Sequence, residues 1–270
     1  MPSDFAEVKK GVHPLRTAES DSRKDMNWKP LLDAALDVIY PRVDCVSCGR
    51  RLEKSAVHGL CGNCLEFMPF IRAPRCSACG KPLEAAVDRL CPDCREYGHD
   101  FDQALSVFEY SVSVRELVHR YKYDKEFSLS RTLGFFLSEL LQESGWQADV
   151  IVPVPLHKNR LKSRGFNQAT LLGDYLSCHH GIPCMDDLLI RRIDTKTQTG
   201  FNRWERAENL RNAFAVVQPD PIRGKNILLI DDVYTTGATA DSCSRVLRQA
   251  GAQRIYVLTI ATGRNVSGNQ

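Results

Sequence analysis

The feature that most constrains the fold of this 270-residue chain is a series of closely spaced cysteines before residue 95. Eight of the eleven cysteines fall in four pairs, each with two residues between its members: Cys45 and Cys48, Cys61 and Cys64, Cys76 and Cys79, Cys91 and Cys94. In a reducing compartment this spacing indicates metal ligation rather than disulfide bonds. Four thiolates in a tetrahedron suit Zn(II). We therefore expect residues 45–95 to be a small module held by two structural zinc sites, because so few large apolar side chains could hardly fold without metal.

The cysteine module contains an internal duplication. Residues 45–64 recur as residues 76–94, with 12 residues between the inner cysteines of the first copy and 11 in the second. A glycine follows the first pair of each copy, which lets the chain turn so that backbone amides point at the sulfurs. Sequential pairing would give each copy one zinc ion. Because 11 residues also separate Cys64 from Cys76, the spacing leaves other pairings open, as well as an iron–sulfur cluster or redox-active cysteine pairs.

Composition excludes some classes of protein and leaves others open. Lysine and arginine number 36 against 33 acidic residues, a net charge of +3 that is too small to indicate a nucleic-acid partner by itself. The sequence has no run of 18 apolar residues that could cross a membrane, and residues 1–25 lack the apolar stretch of a secretory signal. We therefore expect a cytoplasmic protein that does not insert into membranes.

Hydrophobic periodicity divides the chain outside the cysteine module. Residues 1–25 are polar and without periodicity, so we expect a disordered leader, and Met26 could be the natural start. Residues 26–44 predict a short helix, and residues 265–270 a tail. Residues 100–264 alternate helical stripes with apolar strands at 104–110, 150–155, 188–190, 226–232 and 254–261. This alternation predicts an α/β domain with a doubly wound, mainly parallel sheet.

The segment ILLIDDVYTTGAT at 227–239 carries the sharpest functional signal. An apolar strand ends in two adjacent carboxylates, Asp231 and Asp232, and a small polar turn then leads into a helix. The turn can hold a phosphate, and the carboxylates can accept hydrogen bonds from sugar hydroxyls, so the segment predicts a ribose 5-phosphate site. It lacks the Gly-Lys-Ser/Thr triplet of a P-loop, and a generic strand–turn–helix with an acid pair is the alternative. The residues after the acid pair are Val233, Tyr234, Thr235, Thr236, Gly237, Ala238 and Thr239.

Together with VPVPLHKNRLKSRGFNQA (152–169) and RRIDTKTQTGFNRWERAENLRNAF (191–214), this segment resembles the ComF/GntX family over residues 26–264. That family carries a double zinc ribbon, here 45–95, ahead of a type I phosphoribosyltransferase domain, here 100–264. The resemblance implies that Asp231 and Asp232 are the catalytic pair that holds the ribose hydroxyls of phosphoribosyl pyrophosphate (PRPP). It also implies that the following turn holds the 5′-phosphate. Type I relatives often dimerise, which makes a homodimer an expectation.

The resemblance assigns two further groups of ligand contacts. The turn after VPVP would hold pyrophosphate, although its cations would also suit a nucleic-acid backbone or a solvated loop. Residues 196–206 resemble the mobile loop that closes over the active site of related enzymes. The first group contains His157, Lys158, Arg160, Lys162 and Arg164, and the second contains Lys196, Gln198, Arg203 and Arg206. His157 is the nearest candidate for a general base, although a lone histidine is more often a phosphate contact.

Two functions follow from these expectations. The first is Mg(II)-dependent transfer of phosphoribose from PRPP to an unidentified acceptor, with release of pyrophosphate. The second is a non-catalytic accessory protein that senses PRPP or a nucleotide and binds single-stranded DNA. The resemblance implies a link to DNA uptake and utilisation in natural competence, with DNA-uptake proteins as partners, and this link supports the second function without excluding the first. A purely structural zinc adaptor would leave the ribose phosphate motif unexplained.

Overall fold

The apolar run that ends at the acid pair forms an inner strand of a parallel sheet in the computed structural model of the chain. The structure describes residues 44–53, 56, 59–84, 88–124, 126, 129–194, 210 and 212–264, all of which belong to the compact unit Arg42–Gln270. The leader and helix predicted before residue 44, and the tail predicted after residue 264, lie outside the described residues. None of the described helices is both long enough and apolar enough to cross a membrane.

The described residues form two sheets and the helices that surround them. The strands are β1 (Gln103–Glu109), β2 (Val150–Pro153), β3 (Leu189–Arg191), β4 (Phe214–Val216), β5 (Asn226–Tyr234) and β6 (Arg254–Thr262). The helices are α1 (Gly62–Phe67), α2 (Pro92–Tyr97), α3 (Val112–Tyr123), α4 (Leu129–Ser144), α5 (Lys158–Arg164), α6 (Gln168–His180) and α7 (Ala238–Gln249), with a 3-10 turn at Asp220–Ile222. The main sheet has the order β1-β6-β5-β2, and all of its strand pairs are parallel.

The main sheet buries alternate residues of β5 on its two faces. Leu228 and Ile230 belong to one apolar cluster with α3, α4 and α6, whereas Ile227 and Leu229 belong to a second cluster with α7. All four side chains are fully buried. A strand covered on both faces is apolar at every position, which explains the unbroken apolar run in the sequence. The helices on both faces give the doubly wound arrangement that the sequence predicts.

The cysteine module closes the outer edge of β1. The amide of Ile71 donates to the carbonyl of Val107 at 2.9 Å, and the amide of Ala104 donates to the carbonyl of Ala78 at 2.7 Å. Cys45 of the first copy is buried in the apolar cluster of α4, and the four buried cysteines of the second copy join the cluster of α7. The module therefore straddles the edge of the sheet, and it satisfies backbone groups that an open edge strand would present to other chains.

The strand predicted at 188–190 lies outside the main sheet. It forms β3, which pairs antiparallel with β4, a strand that sequence patterns did not reveal. β3 has only three residues, of which Leu189 is buried while Ile190 is 37% exposed. Such a one-sided strand suits a small antiparallel pair better than the interior of a sheet that is covered on both faces.

The duplicated glycines Gly49 and Gly80 offer a matched test of how the module docks. Their φ angles are +69° and +70°, so alanine at either position should cost roughly 1–2 kcal/mol in backbone strain. At Gly80 an added Cβ would also lie 2.5 Å from the carbonyl oxygen of Ala104 in β1, whereas at Gly49 it would meet nothing within 4 Å. We expect Gly80→Ala to lower the thermal unfolding temperature of the zinc-loaded protein clearly more than Gly49→Ala. Equal shifts would show that the second copy does not press against the sheet.

Candidate functional site

The eight paired cysteines lie in two groups of four that follow the sequential pairing. The first group is Cys45, Cys48, Cys61 and Cys64, and the second is Cys76, Cys79, Cys91 and Cys94; within each, the sulfurs lie within 4.8 Å of one another. The copies repeat the same contact, because the amide of Cys61 donates to Sγ of Cys45 and the amide of Cys91 donates to Sγ of Cys76, both at 3.3 Å. Four thiolates this close fit tetrahedral Zn(II), so the chain carries two four-cysteine zinc-binding sites.

The two zinc sites differ in burial. Every cysteine of the second site is buried, whereas Cys48 is exposed and Cys61 and Cys64 are half-buried. At Cys45 burial opposes ionisation, but the backbone amides of Cys61, Cys48 and Ser47 together lower the pKa of the thiol to about 6. Amide donors of this kind stabilise the thiolate form that binds zinc. The first site is thus partly open to solvent, and the second lies inside the protein.

Asp231 and Asp232 stand near the carboxyl end of β5, which extends to Tyr234 rather than ending at the acid pair. Oδ1 of Asp231 accepts a hydrogen bond from the amide of Asp232 at 2.8 Å. Burial, together with the negative charge of Asp232, raises the pKa of the Asp231 carboxyl to about 7. This carboxyl is therefore part protonated at neutral pH, and a bound cation would displace its proton.

Lys122 supplies the positive charge that faces the acid pair. Its Nζ lies 2.8 Å from Oδ2 of Asp232, and the two side chains are 22% and 17% exposed. Burial acts to lower the pKa of Lys122, but the carboxylates of Asp232 and Asp231 outweigh burial and raise it. The end of α3 is held in place by the fully buried Tyr121, whose hydroxyl donates to the carbonyl of Gln168 at 2.9 Å. The lysine that follows Tyr121 is thereby directed at the end of β5.

The turn after β5 forms a cradle at the N-terminus of α7. Gly237 is the N-cap residue of α7, with a φ of +85° that favours glycine, and it contributes no capping side chain. The amides of the first helical turn can therefore donate to an anion. The Oγ1 of Thr236 is buried and has no hydrogen-bond partner among the described residues. A small pocket at this turn is lined by Asp231, Val233, Tyr234, Thr235, Gly237, Thr239, Ala240, Val257 and Thr259.

Three side chains of the predicted motif are engaged in packing. Val233 is half-buried against the apolar cluster of α3 and α4. Tyr234 is buried, and its hydroxyl lies 3.2 Å from Nε2 of His99, on the side of the second zinc site. Ala238 is buried at the first position of α7. At these positions the backbone, rather than the side chain, is what the motif offers to a ligand.

The basic segment after β2 forms the helix α5 rather than an open loop. His157 is buried at its N-terminus, where Nδ1 lies 3.4 Å from the amide of Asn159 and 3.3 Å from Oδ2 of Asp194. Nε of Arg160 lies 4.0 Å from Oδ1 of the same Asp194. The hydrogen bond from the side chain of Asn159 and the nearby cations lower the pKa of Asp194. These contacts place His157 at the start of α5, and its predicted contact with a ligand stays a prediction.

Of the other cations of α5, one contacts neighbouring side chains and two are exposed to solvent. Arg164 donates to Oε1 of Gln168, and its guanidinium lies 5.0 Å from the ring centroid of Tyr123. Lys158 and Lys162 are exposed. The predicted contacts of the mobile loop, Lys196, Gln198, Arg203 and Arg206, lie outside the described residues.

Sequence patterns did not reveal Lys122, although a signal for it was present. Lys122 follows Val114 and Val118 at steps of four residues, so it lies on the apolar stripe of α3. A lysine on such a stripe needs an acidic partner, since an unpaired buried charge is strongly unfavourable. The signal could have identified a buried ion pair, but not which carboxylate would complete it.

The raised pKa of Asp231 predicts that Asp231→Asn stabilises the protein in a pH-dependent way. An exposed aspartate has a pKa of 3.8, whereas Asp231 in the folded protein has one of about 7. Ionising this carboxyl therefore destabilises the folded state increasingly as the pH rises from 3.8 to 7, and fully above 7. We expect the stability gain of Asp231→Asn over wild type to be larger at pH 8.5 than at pH 5.5 by on the order of 1–2 kcal/mol. Urea unfolding of both proteins measures it, and a gain that is the same at both pH values would contradict the raised pKa.

Comparisons with known proteins match one family model and several similar chains. Residues 35–95 match the family model described as double zinc ribbon domain. Competence protein F of Haemophilus influenzae is 31% identical over 223 residues, which cover 80% of this chain and 96% of that protein. DNA utilization protein YhgH of Salmonella typhimurium is 33% identical over 206 residues, which cover 74% of this chain and 88% of that protein. Among solved structures, the glutamine PRPP amidotransferase from B. subtilis is similar with 22% identity and a TM-score of 0.37, over 52% of this chain and 30% of that one.

The fold class expected from the sequence is confirmed, since a parallel sheet with helices on both faces follows two four-cysteine sites. Solved phosphoribosyltransferases, such as adenine phosphoribosyltransferase from Saccharomyces cerevisiae, are among the structures it resembles, there with 16% identity and a TM-score of 0.35 over 50% of this chain and 70% of that one. The two curated relatives exceed 30% identity and are covered over most of their own length. The chain belongs to the ComF family of competence and DNA-utilisation proteins.

Proposed function

We propose that the chain binds PRPP, or a related ribose 5-phosphate, at the carboxyl end of β5 and transfers the phosphoribosyl group to a nucleophilic acceptor, with release of pyrophosphate. One observation carries this proposal: an acid pair at the end of β5 is followed directly by a turn at the N-terminus of α7. The carboxylates of Asp231 and Asp232 suit ribose hydroxyls. The turn offers helix N-terminal amides and the buried hydroxyl of Thr236, which lacks a partner among the described residues.

The acid pair also fits a divalent cation. Carboxylate oxygens are hard ligands, and Mg(II) commonly binds through one or two carboxylates together with phosphate oxygens of a substrate. The repulsion between Asp231 and Asp232, which contributes to the raised pKa of Asp231, would be relieved by a cation that both approach. When bound with PRPP, Mg(II) would neutralise part of the diphosphate charge and so ease departure of pyrophosphate.

Lys122 has two positions in this proposal. Without ligand, its ammonium group neutralises Asp232 at 2.8 Å. When Asp232 turns to ribose hydroxyls or a cation, the long and partly exposed side chain of Lys122 can move to a phosphate oxygen. A lysine that exchanges a carboxylate for a phosphate keeps its charge paired throughout, so the move avoids leaving a buried charge alone.

The residues of the site would act by binding and orientation. As the bond between C1 of the ribose and the diphosphate oxygen breaks, positive charge grows on the sugar and negative charge on the leaving diphosphate. In this proposal the carboxylates of Asp231 and Asp232 would stabilise the charge on the sugar, and the ammonium group of Lys122 would stabilise that on the diphosphate. The contacts of His157 with Asp194 and the start of α5 favour a positioning role for this histidine over that of general base.

Calorimetric titration of the zinc-loaded protein with PRPP, with and without Mg(II), tests the binding step. We expect micromolar binding that needs Mg(II) and is abolished by the double change Asp231→Asn, Asp232→Asn. The matched control is Asp186→Asn, Asp187→Asn, because these aspartates are also adjacent but are exposed and precede β3. The control should bind PRPP like the wild type.

Two outcomes would contradict the proposed binding site. One is the absence of PRPP binding by the folded wild type with Mg(II), and the other is an equal loss of binding in the control. If PRPP binds as expected, release of pyrophosphate on addition of nitrogenous acceptors separates a transferase from a protein that only binds the ligand. Urea unfolding of each variant shows that loss of binding is not loss of fold.

The exposed lysines of α5 favour a second candidate function, in which the protein senses PRPP or a nucleotide without catalysis and binds single-stranded DNA. Arg160 and Arg164 contact other side chains of the chain, whereas Lys158 and Lys162 project into solvent. Exposed lysines are suited to phosphates of a nucleic-acid backbone. The curated relatives are named for competence and DNA utilisation, which supports a role in DNA uptake under either function.

The double change Lys158→Ala, Lys162→Ala tests DNA binding by α5. In fluorescence anisotropy with a single-stranded oligonucleotide, we expect weaker binding and a salt dependence whose slope is less steep by about 0.7 for each lysine. The control is Arg223→Ala, Lys225→Ala, which removes the same charge from exposed positions just before β5 begins. Unchanged affinity in the α5 variant, or an equal loss in the control, would exclude α5 as the DNA contact.

A further inference from the structure

His99 lies between the second zinc site and the turn after β5. Its side chain is only 3% exposed. Nε2 lies 3.3 Å from Sγ of Cys94 and 3.2 Å from the hydroxyl of Tyr234. Nδ1 lies 3.1 Å from each carboxylate oxygen of Asp241. A single imidazole ring thus contacts a zinc ligand, the last residue of β5 and the first turn of α7.

We call residues 235–237, between β5 and α7, the phosphate-binding turn. The ring of His99 contacts the residues at both ends of this turn. Tyr234 precedes the turn, and Asp241 lies in the first turn of α7 after it. Between them, a Cβ added to Gly237 would lie 2.9 Å from Cε1 of His99 and 2.6 Å from the hydroxyl of Tyr234. The backbone of the turn is packed directly against His99, so a displacement of the ring would displace the turn.

Further contacts fix the segment around His99 along α7. Asp241 accepts a hydrogen bond from the amide of Asp100 at 2.9 Å, and the carboxylate of Asp100 pairs with Arg245 at 2.6 Å. The ring of His99 stacks on that of Phe101, with the ring centroids 4.4 Å apart. These contacts hold the chain that leaves the second zinc site against the helix that begins at the turn.

The first zinc site contacts the domain elsewhere. On that side, Arg120 of α3 donates to the carbonyl of Val46 at 2.6 Å, and it also pairs with Glu126. Cys48 of the first site is exposed, whereas every cysteine of the second is buried. The two sites therefore share a sequence pattern but differ in what they touch, which gives an internal comparison within one molecule.

We propose that His99 is a positioning residue that couples the second zinc site to the phosphate-binding turn, so that zinc at this site and a phosphate at the turn each strengthen the binding of the other. The strengthening is mutual because coupling between two binding equilibria is reciprocal. Hydrogen-bond partners of zinc ligands commonly orient those ligands and tune metal affinity. The identity of the ligand rests on the proposed function, but the link between the zinc site and the turn does not.

The variant His99→Asn keeps the contact with Asp241 and removes the contacts with Cys94 and Tyr234. An asparagine amide keeps a donor near Asp241, but the shorter side chain no longer reaches Cys94 and Tyr234. The matched control is His179→Asn, since His179 is exposed near the end of α6 and contacts the backbone carbonyl of Tyr175. Both variants and the wild type are loaded with cadmium in place of zinc, because cadmium NMR gives a separate resonance for each four-cysteine site.

Four readouts are expected to change together in His99→Asn. One of the two cadmium resonances moves, hydrogen–deuterium exchange at residues 235–241 becomes about fivefold faster or more, and PRPP binding with Mg(II) weakens by a similar factor. In the zinc-loaded wild type, PRPP slows chelator-driven loss of one zinc ion, and this protection is absent in His99→Asn. The control changes none of these. Unchanged exchange at the turn in folded His99→Asn, or an equal change in the control, would overturn the coupling.

The exchange measurement needs no ligand, so failure of the coupling can be distinguished from failure of the proposed function. If the wild type binds no PRPP but the turn loosens in His99→Asn, the link between the second zinc site and the turn holds and the proposed function fails. If PRPP binds both proteins equally and the turn is unchanged, the coupling fails and the function stands. If His99→Asn does not fold, Tyr234→Phe replaces it, because this change removes only the hydroxyl that contacts His99. We expect Tyr234→Phe to speed hydrogen–deuterium exchange at the turn about twofold. Unchanged exchange at the turn would overturn the coupling.

Discussion

The rest of the structure depends on the closure of one sheet edge by a module that metal holds together. On the outer side of β1, the amide of Glu109 donates to the carbonyl of Pro69 at 2.8 Å, and the amide of Ala104 donates to the carbonyl of Ala78 at 2.7 Å. Both acceptors belong to the cysteine module, which carries the two zinc-binding sites. Zinc therefore stabilises the α/β domain as well as the module, because it fixes the backbone groups that pair with the edge strand.

The inner strand β5 meets two requirements that conflict. Its centre has to be apolar because helices cover both faces, yet its end has to carry charge if it is to bind a polar ligand. Ile230 is fully buried and Asp231 follows it directly, which is why burial raises the pKa of that carboxyl to about 7. Lys122 forms its ion pair with Asp232, and the charges of Lys122 and Arg191 only partly offset the effect of burial on Asp231. A carboxyl whose pKa is raised by burial and by a neighbouring charge is a common feature of functional sites.

Features that depend on local spacing were predictable from the sequence, and those that depend on distant contacts were not. The cysteine pairs, the apolar run of β5 and the turn into α7 are all patterns within short stretches of chain. β4 has only three residues, too few for a period to be recognised. His99 meets Asp241, which lies 142 positions later in the chain, and no local pattern indicates that contact. For the same reason the sequence could not reveal that Asp194 lies beside Arg160 and Gln168 beside Arg164, and ligand contacts of these arginines stay a prediction.

The contacts of His99 indicate that the second zinc site supports the turn after β5 structurally. A phosphate that binds the turn must order the residues between Tyr234 and Asp241, and ordering a loop costs conformational entropy. Here both residues already contact His99, which in turn contacts the zinc ligand Cys94. Part of that entropy is then lost when the protein folds around zinc, and less remains to be lost when the ligand binds. This accounts for the different burial of two sites with one sequence pattern: the first can stay partly exposed at the edge of the sheet, whereas the turn is built on the second.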